Sequence, residues 1–426
     1  MSGYYTYPNF FPTIYKRPKR IALVVQAARL DGETRGQSRI PFLAGLLARE
    51  GFEVDLITST FQHWDKAQRD TTLERYQGLP YRIRFVYEPG YKKNLDLVRI
   101  NSHRVFARNL RALLKSRFAD NPHAYDLIYS LIPMNDMART CAEVAAKQGV
   151  PFIVDVNDLW PEAMRMAVDV PVLSDIAFAP FARDAKRVYE LASAVVGTSD
   201  EYADRPAKDR TKPYIKRTVY VGNDLDAFDD GARKRSGEVE KPEGEFWVSY
   251  AGTMSTSQDL ETLIEATALA AKRDARIRCK LMGDGPNRPN LEQLAAKCAA
   301  PVDFVGYVTH DLMAAYLCAS DATVNSLISS APQSIPTKIG DYLAAGIPLI
   351  NTGLSPELCG KVESDGFGVN VPPENAQALA DAIVDLAADP QRCAEMGQRG
   401  RSVAEEQFDQ KRSYLTIVEL IRNLTA

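Results

Sequence analysis

The sequence predicts an α/β protein of two doubly wound, Rossmann-like domains that face each other across a cleft. Three observations carry that reading. Short apolar runs, of the kind that form parallel strands buried on both faces, alternate along the chain with runs at helical spacing. The alternation breaks once, over residues 229–245, where apolar residues give way to Gly, Pro and charge. The 426 residues, 45% of them hydrophobic, suffice for two sizeable cores. The chain therefore divides into an N-terminal arm (1–20), a first domain (21–228), a linker (229–245), a second domain (246–408) and a C-terminal helix (409–426) expected to pack back toward the first domain.

In the first domain, Arg20 to Gln26 reads as a strand, and Ser38 to Glu50 as a helix with Ile40, Leu43, Leu46 and Leu47 on one side and Gly51 after it. Glu53 to Thr58 completes a βαβ unit. Its loop holds Gly32 and Gly36 without the G-x-G-x-x-G spacing. That disfavours a nicotinamide or flavin cofactor, yet the loop can still approach a phosphate or sugar. Strands follow at Tyr81 to Tyr87, Tyr125 to Ser130, Pro151 to Asp155, Ala194 to Gly197 and Arg217 to Val221, with a helix over Asp136 to Gln148. The second domain repeats the layout, with strands at Phe246 to Ala251, Ile277 to Met282, Val302 to Phe304 and Ala322 to Ser326. Its helices are Leu260 to Lys272, Asn290 to Ala299, Leu312 to Ala319, Ala376 to Ala388 and Ala394 to Phe408.

Composition narrows the function. Lys and Arg number 52 against 55 Asp and Glu, a net charge of −3 with pI about 6.0, so nothing global favours nucleic acid as a partner. The six cysteines are scattered without CxxC spacing and read as small hydrophobes in a reducing compartment, not as disulfides or a zinc site. Asp155 with Asp158, or Asp224 with Asp226, is too sparse a donor set for a metal site, and no metal or cofactor is expected. The start of the chain lacks the continuous apolar core of a secretory signal, and no run approaches a membrane span, so the expected location is the cytoplasm.

The stretch Ala331 to Thr352 carries the strongest chemical signal. Polar Gln333 and Ser334 precede Pro336 and Thr337, an apolar helical run follows through Ala345, and Gly346 and Pro348 end it. A helix starting behind a polar loop aims unpaired N–H groups and the positive end of its dipole at that loop, which attracts phosphate. Lys338 stands in the first turn, where a cation is unfavourable unless an anion lies in front of it. Asp341, three residues on and on the same side, is suited to the diol of a ribose. On spacing alone the two also fit a solvated local ion pair.

Two further segments are singled out. Asp158 and Glu162 follow the strand ending at Asp155, where open α/β sheets bind ligands, and Asp158 equally suits the cap of a helix starting near Pro161. Between Tyr91 and Phe118 lie Lys92, Lys93, Arg99, Arg104, Arg108, Arg111, Lys115 and Arg117 against a single Asp96, with apolar residues at helical spacing. A basic flank over 92–117 fits an anionic membrane surface, and it equally fits a solvated helix face.

YAGT at Tyr250 to Thr253, GDGP at Gly283 to Pro286, FVGYV at Phe304 to Val308 and PTKIGDYLAAGIPLI at Pro336 to Ile350 resemble the second domain of retaining GT-B glycosyltransferases of family GT4. VDVNDLWPE, VVGTS and VGNDLDAF match the first domain more loosely. The combination looks most like bacterial transferases that build surface polysaccharides, such as capsule or O-antigen, including those using N-acetylfucosamine-type donors. The resemblance implies that the second domain binds a nucleotide-sugar, the first a saccharide or lipid-linked saccharide acceptor, and that transfer across the cleft retains anomeric configuration without a metal. Gly252, Thr253, Gly283, Asp284, Tyr307, Val308, Ser334, Thr337, Lys338 and Asp341 then belong to the donor site, with Gly32 and Gly36 facing it. Asp158 and Glu162 belong to the acceptor. The chain also departs from the family. The paired glutamates fall on Gln333 and Asp341, the usual Arg and Lys on Thr253 and Gln258, and the catalytic-loop histidine on Asn157. Lys338 remains as the diphosphate cation, and Asn157, Asp158 and Gln333 as candidate catalytic groups. A twin-domain sugar-nucleotide epimerase and a catalytically silent sugar-nucleotide-binding protein are the alternative functions.

Overall fold

The computed structural model describes residues 17–30, 32–33, 39–94, 96–162, 173–210, 212–331 and 335–426. Seven strands form the first sheet: β1 (Arg20–Val24), β2 (Glu53–Ser59), β3 (Arg82–Val86), β4 (Leu127–Ile132), β5 (Phe152–Val156), β6 (Ala194–Gly197) and β7 (Ile215–Thr218). Six form the second: β8 (Phe246–Ala251), β9 (Ile277–Met282), β10 (Val302–Gly306), β11 (Ala322–Asn325), β12 (Leu349–Asn351) and β13 (Gly368–Asn370). The orders are β3-β2-β1-β4-β5-β6-β7 and β10-β9-β8-β11-β12-β13, with every pairing within them parallel. Both sheets thus reverse winding direction beside their first strand, which opens a crevice at the strands' C-terminal ends. Helices cover both faces, so β1, β5 and β8 are apolar almost throughout.

The first sheet has a core on each face. Helices Leu97–Asp120, Asn135–Gln148 and Leu173–Leu191 supply Phe106, Leu110, Met137, Val188 and Tyr189 to one. The other combines Leu43 and Leu47 of helix Arg39–Arg49 with Ile417, Val418 and Ile421 of the C-terminal helix Leu415–Thr425. The chain end therefore lies on the first sheet after leaving the second domain.

Several elements differ from the sequence reading. The expected linker is helical as far as Arg235, within helix Leu225–Arg235. Leu225 and Phe228 are buried in the second domain's core, and two apolar anchors ahead of a charged tail are too few to show a helical period in the sequence. Helix Leu173–Leu191 carries Pro180 in its interior, which breaks the pattern by which a helix is read. Helix Pro356–Asp365 buries only Leu358 and Val362, too few to show a period. The helix carrying Lys338 starts at Lys338 itself, two residues later than Pro336.

Candidate functional site

The two sheets' C-terminal ends enclose a cavity of about 630 Å³ between the domains. Asn157, Asp158, Leu159, Glu162, Thr198 and Tyr202 line it from the first domain. Gly252, Thr253, Gln258, Pro336, Thr337 and Lys338 line it from the second, with Tyr250 at its floor. These side chains sit just beyond β5, β6 and β8 and at the start of helix Lys338–Ala344, where reversed winding leaves room for a ligand.

Lys338 is the single cation among the described residues that line this cavity, against two carboxylates. Its Nζ donates to Gln258 Oε1 at 2.6 Å and lies 4.3 Å from the centroid of the Tyr250 ring. Tyr250 Oη donates in turn to the Thr253 carbonyl at 2.9 Å, which ties the lysine's platform to the loop after β8. Burial lowers the Lys338 pKa to about 7. A group so placed is a cation short of an anion.

On the opposite wall, Asn157 Nδ2 donates to the Asp155 carbonyl at 3.3 Å, and Asp158 Oδ1 accepts from the Leu159 N–H at 2.8 Å. Burial raises the Asp158 pKa despite that bond. Glu162 lines the cavity with its charge already matched, accepting from Arg205 Nε at 2.6 Å.

Other residues expected at the site stand behind or outside it. Gly283 and Asp284 form a turn that supports the loop after β8: Gly252 N–H donates to Met282 O at 3.0 Å and Met254 N–H to Asp284 O at 2.9 Å. The Asp284 carboxylate turns to the Gly285 N–H at 2.7 Å. Tyr307 is half exposed outside the cavity lining, and Val308 packs on the second domain's core. The Gly32 carbonyl accepts from Arg75 Nη1 at 2.7 Å, away from the cavity. Asp341 also falls outside the lining: its Oδ1 accepts from Asn223 Nδ2 at 2.7 Å and pairs with His310 Nε2 at 3.0 Å. The reason is the crossing of the chain at Gly222 and Asn223, which lays that segment against Gly340 and its helix. Gly36, Gln333 and Ser334 lie outside the described residues.

Sequence reasoning missed the long-range contacts that hold the cleft. Arg39 and Asp155 form a buried ion pair at 3.1 Å, and Arg39 also donates to the Val219 carbonyl at 3.0 Å and to Tyr414 Oη at 3.2 Å. Burial disfavours that guanidinium's charge, and Asp155, Tyr414 and Tyr129 more than compensate. Glu357 of the second domain accepts from the Asp200 N–H at 2.8 Å and Tyr220 Oη at 2.8 Å, both across the cleft. Partners more than a hundred positions apart leave no local signature; the only hint at Glu357 is the Ser355-Pro356 helix start before it.

Among the described residues, no group of three or more His, Cys, Asp or Glu is placed to hold a metal ion, and no helix is long and apolar enough to cross a membrane.

Residues 245–389 match the family model described as glycosyl transferases group 1. Alpha-D-kanosaminyltransferase of Streptomyces kanamyceticus is 25% identical over 255 residues, covering 57% of this chain and 63% of that one, so the match spans less than two thirds of this curated relative. Among solved structures, HepE of Anabaena in complex with UDP superposes with a TM-score of 0.68 at 16% identity, covering 95% of this chain and 100% of that one. Sucrose-phosphate synthase of Thermosynechococcus elongatus gives 0.70 at 21% identity over 95% and 99%. WaaG, a glycosyltransferase involved in lipopolysaccharide biosynthesis, gives 0.60 at 13% identity over 93% and 98%. The fold is thus the pair of Rossmann-like domains of GT-B proteins, and the match over the second domain adds support for a glycosyltransferase.

Proposed function

We propose that the protein is a retaining glycosyltransferase of GT4 type, moving a hexosyl or N-acetylhexosaminyl group from a UDP-sugar to a saccharide acceptor. The observation that carries this is Lys338, the one cation among the described residues lining the inter-domain cavity, half-buried and held by Gln258. Gln258 stands where relatives place a lysine, so Lys338 supplies from a neighbouring element the charge that position lacks. The UDP bound to the Anabaena neighbour supports a uridine donor, and the kanosaminyltransferase likeness supports a sugar or aminosugar as cargo.

In this reading the diphosphate lies against Lys338, Thr337 and the Gly252-Thr253 loop. The donor's ribose extends past the cavity lining toward Asp341, where it would meet Oδ2, since both contacts of that carboxylate with Asn223 and His310 fall on Oδ1. Asn157, Asp158 and Glu162 face the acceptor from the other wall. The bond between the anomeric carbon and the β-phosphate oxygen breaks, and the acceptor oxygen bonds that carbon on the same face. The acceptor's proton passes to the departing phosphate, and nucleoside diphosphate leaves. No strong protein base or metal is required, so Asn157 in place of a histidine is tolerated. Charge developing on the diphosphate is the quantity Lys338 stabilises. The acceptor is a lipid-linked saccharide of bacterial capsule, O-antigen or exopolysaccharide synthesis, met by a cytoplasmic protein held peripherally at the inner membrane face through residues 92–117.

A panel of UDP-sugars, scored by UDP release with membrane extract as acceptor, tests the reading. Lys338→Ala is expected to lower turnover by ~10²- to 10³-fold, the usual cost of losing one such donor. Unchanged kinetics in that variant would remove the proposal's main support.

A further inference from the structure

A second cavity, of about 480 Å³, opens in the first domain between helices Leu97–Asp120 and Leu173–Leu191, over helix Asn135–Gln148. Five arginines line it: Arg104, Arg108, Arg111, Arg139 and Arg183. Three carboxylates stand against them. Glu143 pairs with Arg111 at 2.6 Å and Arg139 at 2.8 Å, Asp184 pairs with Arg139 at 2.8 Å, and Asp136 lines the wall. Burial pushes the Asp136 pKa up to about 6, so even this carboxylate is reluctantly charged. Arg104, Arg108 and Arg183 have no carboxylate partner among the described residues and are exposed at the rim.

This groove backs onto the inter-domain cleft. Asn135 Nδ2 donates to the Trp160 carbonyl at 3.0 Å and the Phe181 carbonyl at 3.1 Å, and the two rings meet edge to face at 6.4 Å. Phe181 lines the groove, while Leu159 and Glu162 on either side of Trp160 line the cleft. One turn before the groove-lining Ile100 and Pro180, Leu97 is 80% exposed and Ile176 68% exposed, which places apolar surface beside the cationic opening.

We infer that this arginine-lined groove binds the phosphate or diphosphate group of an ester of an apolar alcohol, carried by the same acceptor whose sugar end enters the cleft. The inference rests on the acceptor reading above. Guanidinium forks match phosphate oxygens in pairs, and the three unpartnered arginines supply the charge that internal pairing leaves over. The exposed Leu97 and Ile176 take the first carbons of the chain.

The test is calorimetric titration of the full-length protein with geranyl diphosphate and with inorganic pyrophosphate, under saturating UDP so that the cleft is occupied. The comparison is the triple variant Arg104→Gln, Arg108→Gln, Arg183→Gln, whose altered side chains are exposed and whose folding is checked by its melting temperature. Saturable binding of both probes, tighter for geranyl diphosphate and weakened tenfold or more in the variant with UDP affinity unchanged, is the expected result. Equal binding by the variant, or no saturable binding by the wild type, would overturn it. So would flotation with phosphatidylcholine vesicles containing phosphatidylglycerol in the absence of saturable diphosphate binding, which would mark a diffuse membrane-facing charge instead of a site. Loss of UDP binding in the wild type would instead count against the nucleotide-sugar reading.

Discussion

Lys338 illustrates how one residue couples burial to ligand choice. Its pKa of about 7 arises from desolvation, and a diphosphate placed against it would restore the charged form. UDP binding should therefore take up a proton above pH 7, and affinity should fall with pH by up to about one log unit per pH unit relative to Lys338→Met, which lacks the dependence. Calorimetry in buffers of different ionisation enthalpy measures that uptake; equal uptake by both proteins would refute it. Stability follows the same linkage. The folded pKa lies below the unfolded value, so the unfolded chain binds more protons between about pH 7 and 10.5 and wild-type stability rises across that window. Lys338→Met should accordingly gain melting temperature below pH 7, with the gain shrinking toward pH 10. At His310 the sign is opposite. The hydrogen bond to Asp341 raises its pKa from 6.5 against the effect of burial, so the contact's contribution is complete below pH 6.5 and disappears as pH rises through the folded value. Asp341→Asn should return the His310 titration, followed by NMR, to a lower pH, and an unmoved titration would mean that the pair is not formed in solution.

At the scale of elements, the Gly283–Asp284 turn supports the loop on which the site depends. Gly283 has φ +130°, and a Cβ there would overlap the Gly252 carbonyl oxygen. Gly283→Ala must shift that backbone, at a cost of ~1–3 kcal/mol. The variant should lose stability in urea and bind UDP more weakly, because Gly252 and Thr253 move with the turn; a variant matching wild type in both would show the two loops to be independent. Elements like this one were legible in the sequence because buried parallel strands give continuous apolar runs, and a glycine after such a run marks the turn to a helix. Asp158 is legible for the same reason, since it follows a strand end where the fold leaves its crevice; Lys338 is legible through its place at a helix start, and Thr253 and Asn157 only through the family resemblance. Helix Leu173–Leu191 was not legible, with Pro180 inside it, although it forms one wall of the arginine groove. The position of Asp341 was not legible either, because it depends on Asn223, 118 residues away, being brought alongside by the chain crossing.

The whole molecule is two domains joined by two crossings, at residues 219–225 and 409–414, so the cleft's width depends on what bridges it. Arg39 fixes the first crossing to the first sheet, through the Val219 carbonyl and Asp155. Tyr220 then stacks on Phe408 at 4.7 Å between centroids, which locks the two crossings together. Beyond these crossings Glu357 is a clasp, beside Ser355, whose Oγ donates to Glu201 Oε1 at 3.2 Å. The Glu357 carboxylate accepts N–H groups from Asp200 at 2.8 Å and Glu201 at 3.3 Å at the start of a first-domain helix, where a negative charge is favoured, and it also holds Tyr220 Oη. Glu357→Gln keeps the shape but removes the charge: its amide oxygen can still accept the two N–H groups and its N–H₂ can donate to the Tyr220 hydroxyl, so the contacts persist as weaker, uncharged bonds and the favourable charge at the helix start is lost. None of the proposed UDP contacts involves Glu357, so UDP affinity should stay near wild type. The closed arrangement needed for transfer should become rarer, lowering kcat/KM by about tenfold, equivalent to ~1.4 kcal/mol. Small-angle scattering should show a larger radius of gyration for the variant in the absence of ligand. If scattering and kcat/KM both matched wild type while UDP affinity fell, Glu357 would belong to the donor site, and closure would rest on the crossings and the Ser355–Glu201 contact.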